Sequence, residues 1–396
     1  MNSKRIAVFL LLVLCVSFTL PVPAFAASTP TGGDSDKGFF ASVLAFFGDL
    51  FNGLLNLSPS EPVVSAPTTI PPVISKPTGA KEVIGFYAEW WGNDTASYND
   101  MVKHKDSIGT IAPFWATLNR DASVANRGGN DHAAVVKYAK SNSIQTLLLV
   151  NNEKSTGSVK PIHTVLSNSS LRKKAIDNLE AYIKKYQMDG INIDFEEVPA
   201  GDRDNLTAFM KELYARLKPQ GYVVTIDVFP KHNELGDISK AYDYAKLAQY
   251  ADKIMLMTYD YHGGWSEAGA VSDIVSVEQD LQYALSFIPK HKLYLGIPGY
   301  GYDWSSKGVE SLEYPAIQSL ISRFNPKVEW DDASKSPHFN YTGPDGVSHQ
   351  VWFENSHSLR FKLDLVNKYD IAGIALWKLG SEDQEFWPLI KTHFAY

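Results

Sequence analysis

From Lys81 onward, short apolar runs alternate with helical stretches, and that alternation predicts an α/β fold, a (β/α)8 TIM barrel. Eight runs qualify as strands: residues 83–89, 110–115, 146–150, 190–196, 223–229, 253–259, 292–298 and 371–377. Most are nearly continuous hydrophobic segments, as expected of parallel strands buried on both faces. The fourth run adds a further observation. Ile191, Ile193 and Phe195 fall on one strand face, while Asn192, Asp194 and Glu196 fall on the other. An apolar outer face meets helices and a polar inner face looks into a pocket, which is how a barrel strand is built.

The elements before the barrel are legible in turn. Met1-Asn2-Ser3-Lys4-Arg5, the apolar residues 6–20 and then Ala24-Phe25-Ala26 have the three regions of a secretory signal peptide over residues 1–26. The expectation is a secreted, extracellular protein, with the bacterial envelope as a destination. The one cysteine, Cys15, lies inside this segment behind Leu14, which is not the small residue that lipidation requires. A mature chain without cysteine dispenses with disulfides, as a large barrel core permits. Residues 27–57 form an N-terminal segment in which Phe40, Val43, Leu44, Phe47, Leu50, Phe51, Leu54 and Leu55 recur at helical spacing. Two readings of this helix, residues 38–57, stand side by side. It rests on a membrane or partner surface, or it packs on the catalytic domain or stays loosely ordered. Asp49 argues against a membrane span. Prolines at 59, 62, 67, 71, 72 and 77 make residues 58–80 an extended Pro/Ser/Thr linker. The barrel domain then occupies residues 81–396.

Within the barrel, residues 171–186 and 204–218 are expected helices. The fourth strand brings two carboxylates, Asp194 and Glu196, to one face roughly 7 Å apart. In a confined site they resist joint ionisation, and the one with fewer hydrogen bonds becomes a proton donor. Glycosidic bond cleavage requires such a pair. The sixth strand gives Met255, Met257 and Tyr259 inward parity, with Asp260 at its mouth. The seventh leads into Gly299-Tyr300-Gly301, and the eighth ends in Trp377. The longest insertion, residues 309–370, falls between strands seven and eight. A net charge of −7 argues against nucleic-acid binding. No metal or cofactor is expected: His262 has no second histidine at ligand spacing, and the acids lack the clustering of a hard-cation site. A monomer is expected.

Asp189-Gly190-Ile191-Asn192-Ile193-Asp194-Phe195-Glu196 resembles the Asp-Gly-x-Asp-x-Asp-x-Glu signature of glycoside hydrolase family 18, the chitinase-like family. Asn192 replaces the middle aspartate, and that departure resembles the spore-former branch whose members cleave cortex peptidoglycan. The resemblance implies that Glu196 is the general acid and that Asp194 orients the substrate's acetamido group. It also implies that this group's oxygen is the nucleophile, hydrogen-bonded by Tyr259. By the same resemblance Asp260 holds the sugar, Tyr300 lies in a substrate loop, and Trp377 is the floor under the scissile residue. Residues 309–370 resemble the family's small insertion subdomain in reduced form.

Other assignments rest on position. Met257 and Tyr87 are candidate substrate contacts, as is Asn192. Asn192 can hydrogen-bond Asp194 but take up no proton, so a simpler acidic limb of the pH profile is expected than an aspartate would give. Asp189 and Glu197 have the opposite parity and are expected to be structural or salt-bridged. Glu89, Trp90, Trp91, Trp115, Tyr302 and Trp304 stand near strand ends, where some line a groove and others cap the barrel. Asn151-Asn152-Glu153, at the end of strand three, is a further polar candidate. The leading reading is a retaining N-acetylglucosaminidase acting on peptidoglycan. A chitinase acting on chitin and a catalytically weak lectin are the alternatives. The lectin reading expects loss of the acid at position 196, which is present.

Overall fold

The structure, a computed structural model, describes residues 81–90, 94–129 and 131–394. The expected signal peptide, the apolar segment 38–57, the proline-rich linker and Trp91 lie outside these residues. Among the described residues no helix is long and apolar enough to cross a membrane.

In chain order the strands are β1 (Glu82–Tyr87), β2 (Thr110–Leu118), the short β3 (Val124–Asn126), β4 (Gln145–Asn152), β5 (Gly190–Asp194), β6 (Val223–Val228), β7 (Lys253–Leu256) and β8 (Leu293–Pro298). Five further strands follow: β9 (Tyr300–Ser305), β10 (Gly308–Glu313), β11 (Glu329–Asp331), β12 (Ser336–Thr342) and β13 (Ser348–Phe353). Then comes β14 (Gly373–Trp377). The parallel order β1-β14-β8-β7-β6-β5-β4-β2 closes on itself because β1 also pairs with β2. All eight expected runs are barrel strands, and the fold is a (β/α)8 TIM barrel. β3 is the exception in this sheet, an antiparallel partner of β2.

The helices are α1 (Ala96–His104), α2 (His132–Ser141), α3 (Pro161–Leu166), α4 (Ser169–Lys185), α5 (Arg203–Leu217), the single turn α6 (Tyr244–Leu247), α7 (Ile274–Leu285), α8 (Tyr314–Phe324), α9 (Ser356–Tyr369) and α10 (Phe386–Phe394). α4 starts where the Asn168 side chain accepts from the N–H groups of Ser170 and Leu171. α5 buries Leu206, Phe209, Met210, Leu213 and Leu217, the stripe its periodicity predicts. Phe209 meets Phe195 with ring centroids 5.3 Å apart, so the outward face of β5 is sealed by this helix. Burying each such side chain stabilises the fold by roughly 1.5–3 kcal/mol. Inside the barrel, Ile84, Phe86, Ala112, Phe114, Leu149, Met255 and Ala375 form a second apolar cluster. The bottom is closed by Lys253, paired with Glu82 at 2.6 Å.

Several limits differ from the sequence reading: β1 ends at Tyr87, β2 runs on to Leu118, β4 runs on to Asn152 and β14 begins at Gly373. β5 stops at Asp194, because the Glu196 N–H donates to the Asn152 side chain at 2.8 Å and Glu197 turns into the left-handed region at φ 52°. β7 stops at Leu256, because the N–H groups of Thr258 and Tyr259 donate two residues back, to Leu256 and Met257. The insertion begins at Tyr300, earlier than residue 309, since β9 follows β8 after one glycine. Its five strands form a separate antiparallel sheet, β10-β9-β13-β12-β11, and α9 returns the chain to β14.

Candidate active site

The strand ends that carry polar side chains meet around one narrow cavity. Asp194, Glu196, Asp227, Tyr259 and Asp260 form its polar side. Phe86, Phe114, Met257, Trp265 and Trp377 form its apolar side, and Tyr300 and Tyr302 complete it. A more open groove crosses the insertion sheet near Asn340, His349 and Gln350, but it offers amides and hydroxyls rather than paired acids. The acid chemistry belongs to the barrel mouth.

Several of these groups and their neighbours are anchored from behind. The Asn152 bond fixes the backbone of Glu196, and the Tyr242 hydroxyl donates to the Phe195 carbonyl at 2.6 Å. Beside the acid, Glu197 is turned away and ion-paired with Lys160 at 2.6 Å. Asp189 accepts from the Thr146 N–H and hydroxyl, each at 2.8 Å, which ties β4 to the start of β5. At the end of β7 the Thr258 hydroxyl donates to Gly296 O at 2.7 Å, and the Ser272 hydroxyl donates to Thr258 O at 2.6 Å. Asp260 adopts φ 61°, a conformation uncommon outside glycine that tertiary contacts must hold. Tyr300 and Tyr302 supply the hold, donating to its Oδ1 at 2.5 and 2.8 Å.

The electrostatics follow from burial without cations. Burial raises the Glu196 carboxyl well above the glutamate range, with further lift from Asp194, Asp260, Glu197 and Asp227. Burial also moves Asp194 up to about 7. Asp260 rises only to about 6, because the two tyrosine hydroxyls oppose burial. The Tyr259 hydroxyl is pushed well above the phenol range by burial and then by Asp227 and Asp194, so it stays an O–H donor. Trp377 offers an indole face, with Phe86, Trp90 and Phe114 packed 5.5–6.4 Å around it or each other. A sugar's apolar face suits such a surface.

Of the residues singled out from sequence, Asp194, Glu196, Tyr259, Asp260, Met257, Tyr300 and Trp377 all line this cavity. Tyr87 does not. It points outward, fully buried, with its hydroxyl on Glu89 at 2.9 Å and its ring 5.9 Å from Trp115. The inward residue of β1 is Phe86. Trp115 also faces outward: a bulge in β2 between Phe114 and Ala116 leaves Phe114 in the cavity and stacks Trp115 on His132. Asn192 is fully buried beneath the cavity, and its amide donates to Asp227 rather than to Asp194. Asn152 positions the Glu196 backbone, Asn151 accepts from Thr117, and Glu153 pairs with Arg120. Asp227 was not anticipated. Its signal was present in β6, where Thr225 and Asp227 alternate with Val224, Ile226 and Val228.

An acid-rich pocket at the C-terminal mouth of a TIM barrel defines a glycosidase-type site. The profile of the Glycosyl hydrolases family 18 matches residues 82–383, and the chain belongs to this family. Among its relatives is the uncharacterized glycosylase YvbX of Bacillus subtilis (strain 168), 32% identical over 323 residues, which cover 79% of this chain and 92% of YvbX. The cortical fragment-lytic enzyme of Bacillus anthracis is 32% identical over 300 residues, covering 72% of this chain and 69% of that enzyme. Among solved structures, the chitinase of Chromobacterium violaceum superposes with a TM-score of 0.73 at 30% identity, over 80% of this chain and 100% of its own.

Proposed function

We propose that this chain is an exported, retaining β-N-acetylglucosaminidase that cleaves β-1,4 bonds in spore-cortex peptidoglycan or its fragments. One observation carries the reading: Glu196, its carboxyl raised well above the glutamate range by burial, stands in a cavity that Asp194 and Tyr259 also line. A carboxyl so held is a general acid for the leaving glycosidic oxygen. The cavity offers Asp194 on the same strand and Asp260 gripped by tyrosines, so neither is free to attack as a nucleophile. The substrate's acetamido oxygen fills that role, with Asp194 accepting from its N–H and the Tyr259 hydroxyl donating to its oxygen. Glu196, once deprotonated, takes a proton from the water that opens the cyclic intermediate. The β-configuration is thereby retained.

Likeness to the cortical fragment-lytic enzyme supports peptidoglycan as the polymer, and the N-terminal signal pattern supports export. A second reading, cleavage of chitin, draws on the likeness to the Chromobacterium chitinase. To separate them, the mature protein is incubated with chitin oligomers, spore-cortex peptidoglycan and vegetative peptidoglycan, and the products are weighed by mass spectrometry. Products from cortex material alone establish the first reading; products from chitin oligomers alone overturn it in favour of the second.

A further inference from the structure

We infer that the groove on the insertion sheet is a second saccharide-binding site, which holds the strand being cut at a distance from the scissile bond. Its ligand is a neutral run of β-1,4-linked N-acetylated sugars. The inference deepens the proposed function and rests on it for the identity of the polymer, though not for the groove itself.

Strand register sets the floor of the groove. Trp304 of β9 lies opposite Gln350 of β13, and Gln350 lies opposite Asn340 of β12, so the three form one row across the sheet. Ser348 and Thr342 pair two residues further along, on the same face. All five line the groove, with Ser306 at its end and Glu267 and Ala268 along one wall.

The polar side chains of alternate rows are used differently. Tyr341 and His349, in the row between, also border the groove, but their polar groups are already engaged. The Tyr341 hydroxyl and His349 Nδ1 both bond the buried Asp303, at 2.6 and 2.9 Å. The amides of Asn340 and Gln350 and the hydroxyls of Thr342 and Ser348 bond no other group among the described residues. An amide offers donors and an acceptor and a hydroxyl offers both, which matches the hydroxyl and acetamido groups of a sugar. Trp304 has its indole N–H occupied by Gly263 O at 3.0 Å, so its ring gives the groove apolar carbon. The floor carries no charged side chain. Lys307 and Asp345, in the two turns that end these strands, pair with each other at 2.5 Å. This lining suits a neutral glycan better than the charged peptide stem of peptidoglycan.

The groove continues the catalytic cavity along β9. Tyr302 lines the cavity and Trp304 the groove, two residues and roughly 7 Å apart on one strand face, with ring centroids 5.6 Å apart. The opposite wall makes the same step, from Trp265 in the cavity to Ala268 in the groove. The bond from Trp304 to Gly263 ties the two walls together, so the groove is shaped before a ligand arrives. A strand whose reacting unit fills the cavity extends into the groove, whereas a disaccharide stops short of it. Binding energy gained there is remote from the reacting atoms and favours long strands over short ones.

The test is a ratio. kcat/KM is measured for the wild type and for Asn340→Ala/Gln350→Ala on an aryl glycoside of an N-acetylglucosamine disaccharide, and on long strands of cortex and of chitin. The preference for long over short is expected to fall about tenfold in the double variant, as two hydrogen-bonding amides are lost. Because the ratio is taken within one preparation, a partly misfolded sample does not change it. An unchanged ratio overturns the inference. So does a loss confined to strands that carry peptide stems, with amidase-stripped strands as the comparison, because the occupant would then be the stem. Binding is read separately by calorimetry in Glu196→Gln, where long strands should bind more tightly than short ones. That advantage should shrink when Asn340 and Gln350 are also replaced, and its persistence would count against the groove. If the advantage shrinks but the wild type cuts neither polymer, the groove stands and the proposed reaction falls.

Discussion

Glu196 is asked for a single proton, delivered at the glycosidic oxygen, and a glutamine amide has none to give. Glu196→Gln is expected to lower kcat by about 10²–10⁴ while folding and substrate binding persist. Turnover above about a tenth of wild type in the purified variant would remove Glu196 from that role. Asn192→Asp tests the ground beneath it. The new carboxyl would sit between Asp194 and Asp227, so its folded-state pKa would rise above the ordinary value of about 4. Folding then takes up a proton, and stability is lost as pH climbs from that ordinary value through the raised one. The variant's thermal midpoint should match the wild type near pH 4 and fall below it at about pH 8, with a broadened acidic limb in kcat/KM. Equal midpoints at both pH values would mean that position 192 is not coupled to its neighbours. Asn192 itself adds no titrating group, but its amide donates to a further buried acid on the next strand, Asp227. It was hard to see in the sequence because a lone acid in an apolar run belongs to no motif. Asp194 and Glu196 were legible because strand parity and spacing marked them together. Tyr87 shows the opposite error: its position near a strand end marks it as a contact, whereas the inward place on β1 belongs to Phe86.

At the level of elements, the end of β7 depends on the strand beside it. A Cβ at Gly296 would lie 2.5 Å from Leu256 O and 3.0 Å from the Tyr259 ring. Gly296→Ala is expected to cost about 1–3 kcal/mol in urea unfolding and to displace Tyr259, lowering kcat more than it raises KM. A variant with wild-type stability and kcat would show that Tyr259 does not need this close approach. The same dependence explains which boundaries were readable. The eight strands announced themselves by composition, and α5 by its periodic stripe. The ends of β5 and β7 did not, because they are set by bonds to distant partners, such as Asn152 for Glu196. The start of the insertion was hidden for a different reason. Tyr300, Tyr302 and Trp304 alternate as a strand does, and only Gly299 separates them from β8.

For the whole molecule, counting strand–helix units was enough to predict a closed barrel, because eight parallel strands leave no edge. The order β10-β9-β13-β12-β11 was not readable, since antiparallel pairing of short strands depends on contacts far apart in the chain. The assembled site makes a stereochemical prediction. Proton NMR within the first turnovers should show the β-anomer as initial product, and a thiazoline analogue of N-acetylglucosamine should inhibit strongly. An α-anomer appearing first would exclude an acetamido nucleophile. The grip of β9 on Asp260 has a consequence for anyone who would exchange the outer lobe of this enzyme for another. Gly299 is the inviting place to cut, but a graft begun there carries away both hydroxyls that hold Asp260 in its left-handed turn. The transplant would arrive intact and leave the host inert. β11, by contrast, lies at the far edge of the sheet and contributes no described residue to the cavity, so lineages or engineers are free to rebuild it.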